Sequence, residues 1–123
     1  MMQAPHPLLR EQLARLFNSI SSLASGRSYL SQALPIVKAL LRLMYGERED
    51  SDARKNALGA VQKLSLRRSL ARMMIKDNIV QWVVDNLLTQ QDTLSDYTLR
   101  YSLALLMNIS LRSIGENFYC TTK

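Results

Sequence analysis

The chain has 123 residues, of which 47% are hydrophobic and 21% charged, and its 16 Lys and Arg against 10 Asp and Glu give a formal net charge of +6. This length suits one domain with its own core, and the composition excludes a disordered chain. Cys120 is the only cysteine, which excludes an internal disulfide framework or a cysteine-rich zinc site and favours a reducing, intracellular compartment.

Two further classes of protein, secreted proteins and integral membrane proteins, are disfavoured. The first residues, "MMQAPHPLLREQ", lack the basic and apolar regions of a signal peptide, and no segment reaches the roughly 18 uninterrupted apolar residues of a membrane span. A secreted or integral membrane protein is therefore not expected. The positive charge favours acidic partners, such as acidic protein segments, nucleic acid or anionic lipid.

Glycine and proline are scarce and the apolar spacing is helical nearly throughout, which predicts an all-α chain. The first element is the long helix "LLREQLARLFNSISSL", assigned to residues 8–24. A short helix follows in "RSYLSQALP", opened by Gly26 and closed by Pro35. A medium helix comes next, and its apolar stripe consists of Ile36, Val37, Leu40, Leu41 and Met44.

The same order then recurs. Ser51 and Asp52 predict the cap of a second long helix, whose apolar side is Ala53, Ala57, Ala60, Val61 and Leu64. The short piece "RSLARMMIKD" leads to a medium helix with the stripe Ile79, Val80, Val83, Val84 and Leu87. Ser95 and Asp96 cap the third long helix, "LRYSLALLMNISL", which is apolar almost all round and requires cover on two sides.

These elements form a repeat of short, medium and long helices. Leu-Ser-Leu-Arg at 64–67 and Ile-Ser-Leu-Arg at 109–112 end two similar long helices, and single residues inserted in loops explain small drifts in the period. The predicted units are a third helix of a partial repeat (8–24), two repeats (27–67 and 68–112) and the start of a truncated repeat (113–123). We interpret the sequence as part of a longer array, whose exposed apolar ends favour self-association.

Units of about 42 residues with this helix order, together with "LLMNIS" in the third helix, resemble armadillo repeats. The resemblance implies an armadillo-like, right-handed superhelical solenoid. The segments "FNSISSLASGRSYLSQ", "ALGAVQKLSLRR" and "SDYTLRYSLALLMNISLRS" are similar to the repeat region of the LisH-domain armadillo-repeat proteins of ciliary basal bodies. This similarity implies a scaffold of the cytoplasm and cytoskeleton, located at the basal body or centriole, that supports cilium assembly and binds ciliary or centrosomal proteins.

In armadillo proteins the third helices line a groove in which an asparagine ladder binds an extended peptide. Asn18 and Asn108 match that ladder, and Lys63 stands in the middle unit. Where the nuclear-import branch carries tryptophans, this chain has small residues, which makes recognition of nuclear localisation signals unexpected; these positions are Ala14, Gly59 and Ala104.

Helical-wheel positions extend this ladder to a polar, basic groove suited to an extended acidic segment. Its predicted residues are Asn18, Lys55, Asn56, Lys63, Arg67, Arg100, Tyr101, Asn108 and Arg112. Two alternatives stay open: the face is only a solvated helix surface, or the chain is a purely structural connecting segment.

Two other features have competing interpretations. A basic run around one short helix allows nucleic-acid binding, although a solvated corner is favoured; its residues are Arg67, Arg68, Arg72 and Lys76. Trp82 shares the polar side of its helix with Gln81, Asp85 and Asn86, and is a candidate exposed hot spot unless a neighbouring repeat covers it.

No catalytic arrangement is predicted. His6 is the only histidine and lies between two prolines near the N-terminus, and Cys120 has no histidine partner near it in the sequence. The acidic run "GERED" indicates a solvated turn between helices rather than a metal site. We therefore expect a non-enzymatic chain without a metal or cofactor.

Overall fold

The computed structural model describes residues 6–90 and 92–122, with side chains up to residue 111 except those of residues 87 and 88. These residues form helices and no strand, which confirms the all-α prediction. The helices are α1 (Pro7–Ser21), α2 (Ala24–Ser31), α3 (Leu34–Gly46), α4 (Asp52–Leu64), α5 (Arg68–Lys76), α6 (Ile79–Gln90) and α7 (Asp96–Thr122).

The predicted caps of the long helices are present. Ser51 Oγ accepts a hydrogen bond from the backbone N–H of Arg54 at 3.1 Å, and Ser95 Oγ accepts one from Thr98 N–H at 3.2 Å. Each bond satisfies a backbone donor that the first turn of a helix leaves free. His6 also caps a helix, because its Nδ1 accepts from Leu8 N–H at 3.1 Å, at the start of α1.

The core lies where α4 meets its neighbours. This helix packs against α1, α3 and α7, and its apolar residues from Ala57 to Leu64 are fully buried. In the predicted stripes of the medium helices, Val37, Leu40, Leu41 and Met44 of α3 are buried, as are Ile79 and Val83 of α6, whereas Val80 of α6 is 39% exposed. The first position of the α3 stripe, Ile36, remains 37% exposed.

Helix boundaries differ from the sequence expectations at four places. α1 ends at Ser21 rather than at residue 24, and Pro35 lies in the first turn of α3 rather than closing the short helix, which ends at Ser31. α2 begins at Ala24, two residues before Gly26, and a Cβ at Gly26 would overlap the backbone carbonyl of Ile20. Glycine is therefore needed there for close packing against α1 rather than for opening the helix. α7 continues without a break to Thr122, so no helix boundary occurs at residues 112–113. The assignment of 113–123 to a further repeat stays a prediction.

Among the side chains that the structure describes, the predicted cover on both sides of the third long helix is not found. One side of α7 is buried at Leu105 and Ile109, whereas Leu103, Met107 and Leu111 on another side are 59–63% exposed. These three residues follow an i, i+4, i+8 spacing and form one apolar stripe. Such a surface is what the predicted self-association requires, and that association stays a prediction.

Candidate partner-binding surface on the third helices

The long helices α1, α4 and α7 lie side by side, with α4 in the middle. We call their shared polar face the third-helix surface. It carries the predicted groove residues Asn18 on α1, Lys55, Asn56 and Lys63 on α4, and Tyr101 and Asn108 on α7, all partly buried.

Asn18 and Lys63 are in direct contact across the α1–α4 junction. Lys63 Nζ donates to Asn18 Oδ1 at 2.7 Å and to Ser22 Oγ at 3.0 Å. Asn18 Nδ2 in turn donates to Asn56 Oδ1 at 3.1 Å. Both polar atoms of the Asn18 side chain are therefore engaged within the chain, so Asn18 positions Lys63 rather than standing free for a peptide.

A tyrosine pair fills the neighbouring part of the surface. The rings of Tyr97 and Tyr101 are 4.3 Å apart between centroids, and the Tyr97 hydroxyl lies 3.5 Å from Asn18 Nδ2. A Cβ at Gly59 would overlap that hydroxyl and lie 3.0 Å from Asn18 Oδ1. Gly59 thus makes room for Tyr97, which was not predicted from the sequence although it lies one helical turn before Tyr101 on the same side of α7.

The α4–α7 junction is linked by Asn108. Its Nδ2 donates to Ser65 Oγ at 2.9 Å and to the Gln62 carbonyl at 3.3 Å. Its Oδ1 accepts no hydrogen bond from the residues that the structure describes. Asn108 therefore retains a positioned acceptor, which Asn18 does not.

The remaining basic residues border this surface. Arg67 Nη2 donates to the Ala24 carbonyl at 3.5 Å, Arg100 is exposed and Lys55 is partly buried. The Arg112 side chain lies outside the described side chains. Partial burial, together with the nearby positive charge of Arg27, lowers the pKa of Lys63 below its ordinary value. An incoming carboxylate would offset both effects, because an opposite charge favours the charged form of Lys63.

Sequence analysis missed a second polar cluster, beneath the start of α7. Arg54 is 1% exposed, and its Nη1 donates to Asn86 Oδ1 at 3.0 Å and to Gln90 Oε1 at 3.2 Å. Its Nη2 lies 3.6 Å from the Asp50 carboxylate. Asp50 also accepts from Ser95 N–H at 2.7 Å and from the Thr98 hydroxyl. We call this set the Asp50–Arg54 cluster.

This cluster corrects the expectation of a solvated turn at "GERED". Asp50 joins the loop to α7, and Glu47 accepts from Arg10 Nε at 2.6 Å, whereas Arg48 and Glu49 are exposed as expected. Burial of Asp50 opposes its ionisation, but the hydrogen bonds from Thr98 and Ser95 and the charge of Arg54 prevail, and the pKa of Asp50 is lowered. The signal in the sequence was the 45-residue spacing of Asp50 from Ser95.

Trp82 is not the exposed hot spot that the sequence suggested. It is partly buried against the core, and its ring packs on Tyr45 of α3, with centroids 5.5 Å apart and planes tilted by 48°. The alternative expectation, cover by a neighbouring repeat, describes it better. In the basic run, Arg68, Arg72 and Lys76 are exposed and Arg67 is partly buried.

The described residues contain no candidate metal site and no candidate membrane span. No group of three or more His, Cys, Asp or Glu side chains in that part of the chain is arranged to hold a metal ion. Over the same residues, none of the helices has the length and apolar content needed to cross a membrane.

This arrangement of helices is that of an armadillo-like solenoid, and sequence comparison agrees with this fold class. Residues 74–123 match the family model described as the ARM repeats of LisH domain-containing protein ARMC9. The proteins of that name from Bos taurus and Homo sapiens are each 46% identical to the chain over 117 residues, and the protein from Rattus norvegicus is 50% identical over 109.

The chain is therefore similar to LisH domain-containing protein ARMC9 over most of its length, and its residues 74–123 are similar to the ARM repeats of that protein. The matches cover 95% of the chain for the bovine and human proteins and 89% for the rat protein. The chain spans only 17% of the bovine protein, 14% of the human protein and 15% of the rat protein. No solved structure matches the chain significantly.

Proposed function

We propose that the chain is a non-enzymatic protein-interaction scaffold whose third-helix surface binds an extended acidic segment of a partner. The observation that supports this most is that polar side chains bridge both junctions between the long helices. Lys63 contacts Asn18 across α1 and α4, and Asn108 contacts Ser65 at the end of α4. Solenoid repeats place such side chains along extended binding surfaces.

The hydrogen bonds give the ladder residues different roles in this proposal. Lys63 uses two of its three N–H donors within the chain, which leaves one for a partner carboxylate or carbonyl. Asn108 offers its Oδ1 to a partner backbone N–H. Asn18 holds Lys63 in place, and Arg67, Arg100 and Arg112 add positive charge around the surface.

Charge supports an acidic rather than a basic partner. The predicted groove residues include five Lys or Arg and no Asp or Glu: Lys55, Lys63, Arg67, Arg100 and Arg112. Binding of a carboxylate by Lys63 would favour its charged form, which partial burial and Arg27 now disfavour. Affinity for an acidic peptide is thus expected to fall as salt screens these charges.

The test measures binding of a fluorescein-labelled peptide of alternating glutamate and glycine by fluorescence anisotropy. Lys63→Ala is expected to weaken binding roughly 10-fold or more, since a hydrogen bond involving a charged group contributes about 1.5–3 kcal/mol. Asn108→Ala is expected to weaken it roughly 3- to 10-fold, since a neutral hydrogen bond contributes about half of that. The double variant is expected to lose more than either single variant.

Matched controls separate local contacts from net charge. Lys38→Ala removes the same charge from the exposed side of α3, and Gln32→Ala removes an exposed amide; both are expected to retain the original affinity. Unchanged binding in Lys63→Ala and Asn108→Ala would refute the groove assignment. A single-stranded RNA bound more tightly than the peptide, and dependent on Arg68 and Lys76, would favour the nucleic-acid alternative.

The cellular setting is the second part of the proposal. From the similarity to LisH-domain armadillo-repeat proteins, we infer an intracellular location at the basal body or centriole, within the cytoplasm and cytoskeleton, and a role in cilium assembly with ciliary or centrosomal partners. Fluorescently tagged protein in ciliated cells is expected to overlap a basal-body marker. A diffuse or nuclear signal would reject this setting and leave the binding surface to be tested separately.

A further inference from the structure

A second surface feature lies away from the third-helix surface, between α3 and α6. It is a cavity of about 310 Å³, open to solvent and lined by Tyr45, Asp77, Asn78, Gln81, Trp82 and Asp85. Two aromatic rings, two carboxylates and two amides thus converge at one place, and none of the six lining residues is basic on a chain of net charge +6.

The aromatic side of this cavity is held in place from both helices. Tyr45 on α3 and Trp82 on α6 pack with ring centroids 5.5 Å apart, and the Tyr45 hydroxyl donates to the Asp77 carbonyl at 3.4 Å. Burial and the charge of Asp77 raise the pKa of Tyr45 above its ordinary value of 10.0. Both rings line the cavity, and their planes are tilted by 48° relative to each other.

The carboxylate side is available to an incoming cation. Neither Asp77 nor Asp85 forms an ion pair with any residue in the described part of the chain. Asp85 accepts one hydrogen bond, from Gln81 Nε2 at 2.9 Å, which leaves further acceptor positions on its oxygens. Asn78 joins α5 to α6 with a positive φ of 63°, a conformation that asparagine tolerates better than most residues, and so places Asp77 beside the start of α6.

We propose that this cavity binds the guanidinium group of an arginine side chain from a partner protein. A planar guanidinium can stack on an aromatic face while it donates paired hydrogen bonds to a carboxylate, and the cavity offers both at once. An unmethylated lysine makes the charge contact without the stacking or the paired donors. A trimethylated lysine makes the aromatic contact but cannot donate to Asp77 or Asp85.

Trp82 is the only tryptophan in the chain, so its fluorescence reports on this cavity alone. The experiment titrates the whole chain with the peptide acetyl-Gly-Gly-Arg-Gly-Gly-amide and with versions that carry citrulline, lysine or trimethyl-lysine in place of arginine. We expect a saturable change in fluorescence with the arginine peptide and roughly 10-fold weaker binding of the citrulline peptide, which keeps the shape and loses the charge.

Conservative variants locate the binding. Asp77→Asn and Asp85→Asn each keep Trp82 and are expected to weaken arginine binding roughly 10-fold, since each removes one charged acceptor. Glu49→Gln makes the same change of charge on an exposed residue outside the cavity and is expected to have no effect. Lys63→Ala is also expected to leave this titration unchanged, because it belongs to the third-helix surface.

Several results would overturn the proposal. These are the absence of a fluorescence change with the arginine peptide, equal binding of the citrulline peptide, or equal losses in Glu49→Gln and Asp77→Asn. Tighter binding of trimethyl-lysine than of arginine would reject the guanidinium assignment in favour of an aromatic site for quaternary ammonium groups. Circular dichroism is the control for folding. If a variant has the same helicity as the original chain, its loss of binding does not arise from unfolding.

Discussion

The chain contains two polar regions that differ in how far they are buried, the Asp50–Arg54 cluster and the third-helix surface. Arg54 is 1% exposed and binds groups from α6 and the α3–α4 loop, whereas Lys63 and Asn108 are only partly buried. A buried charge that loses its partner cannot recover hydration, but a partly buried one can exchange an internal partner for water or a ligand. The first region therefore suits structural cohesion and the second suits binding.

The largest effect is expected from Arg54→Ala. This change leaves Asp50 without its positive neighbour and Asn86 and Gln90 without a donor, so the free energy of unfolding should fall by about 3–5 kcal/mol. Urea unfolding followed by circular dichroism measures the loss. Arg42→Ala, at an exposed position on α3, should change stability by less than about 0.5 kcal/mol. Equal effects of the two variants would contradict a structural role for the cluster.

The pH dependence of stability sharpens the assignment to Asp50. Because the folded-state pKa of Asp50 lies below its ordinary value of 3.8, its contribution is complete above that value and is lost as pH falls through the lower folded-state pKa. Asp50→Asn should therefore be less stable than the original chain from pH 7 to about pH 4, with the difference shrinking in more acidic solution.

The same urea titrations, repeated from pH 7 to pH 2, check this prediction. Glu49→Gln, next to Asp50 but exposed, serves as the control and should follow the original chain closely. A difference between Asp50→Asn and the original chain that stays constant down to pH 2 would show that the Asp50 charge does not stabilise the fold.

The smallest effect on stability is expected in the third-helix surface. Lys63→Ala should lower the free energy of unfolding by no more than about 1 kcal/mol, because its contacts to Asn18 and Ser22 are partly exposed and both acceptors can bind water instead. The same unfolding measurement tests it. A loss as large as that of Arg54→Ala would assign Lys63 to the structural framework and weaken the proposed binding role.

The cavity between α3 and α6 extends the comparison to charge. The third-helix surface is basic, while the cavity combines two carboxylates with two aromatic rings. Different helices supply the two surfaces, and the two proposals concern partner groups of opposite charge. A scaffold with this arrangement could bind an acidic and a basic segment at the same time.

Local patterns in the sequence were sufficient for much of the fold. Ser51 and Ser95 act within their own first helical turns, and the stripe from Val37 to Met44 depends only on helical periodicity. The order of a short helix and then two longer ones followed from spacing alone, although α3 and α4, predicted as medium and long, each have 13 residues. These features were predictable because the interacting groups lie within a few residues of one another.

Tertiary structure decided which polar groups meet. The contacts of Lys63 with Asn18, of Asn108 with Ser65 and of Asp50 with Ser95 each join residues 43 to 45 positions apart. The repeat period brings such positions to neighbouring helices, but the register and distance of the stacked helices determine whether they bond. For the same reason the sequence placed Trp82 on a polar helix side, while only the approach of Tyr45 on α3 showed that it is half-buried beside a cavity.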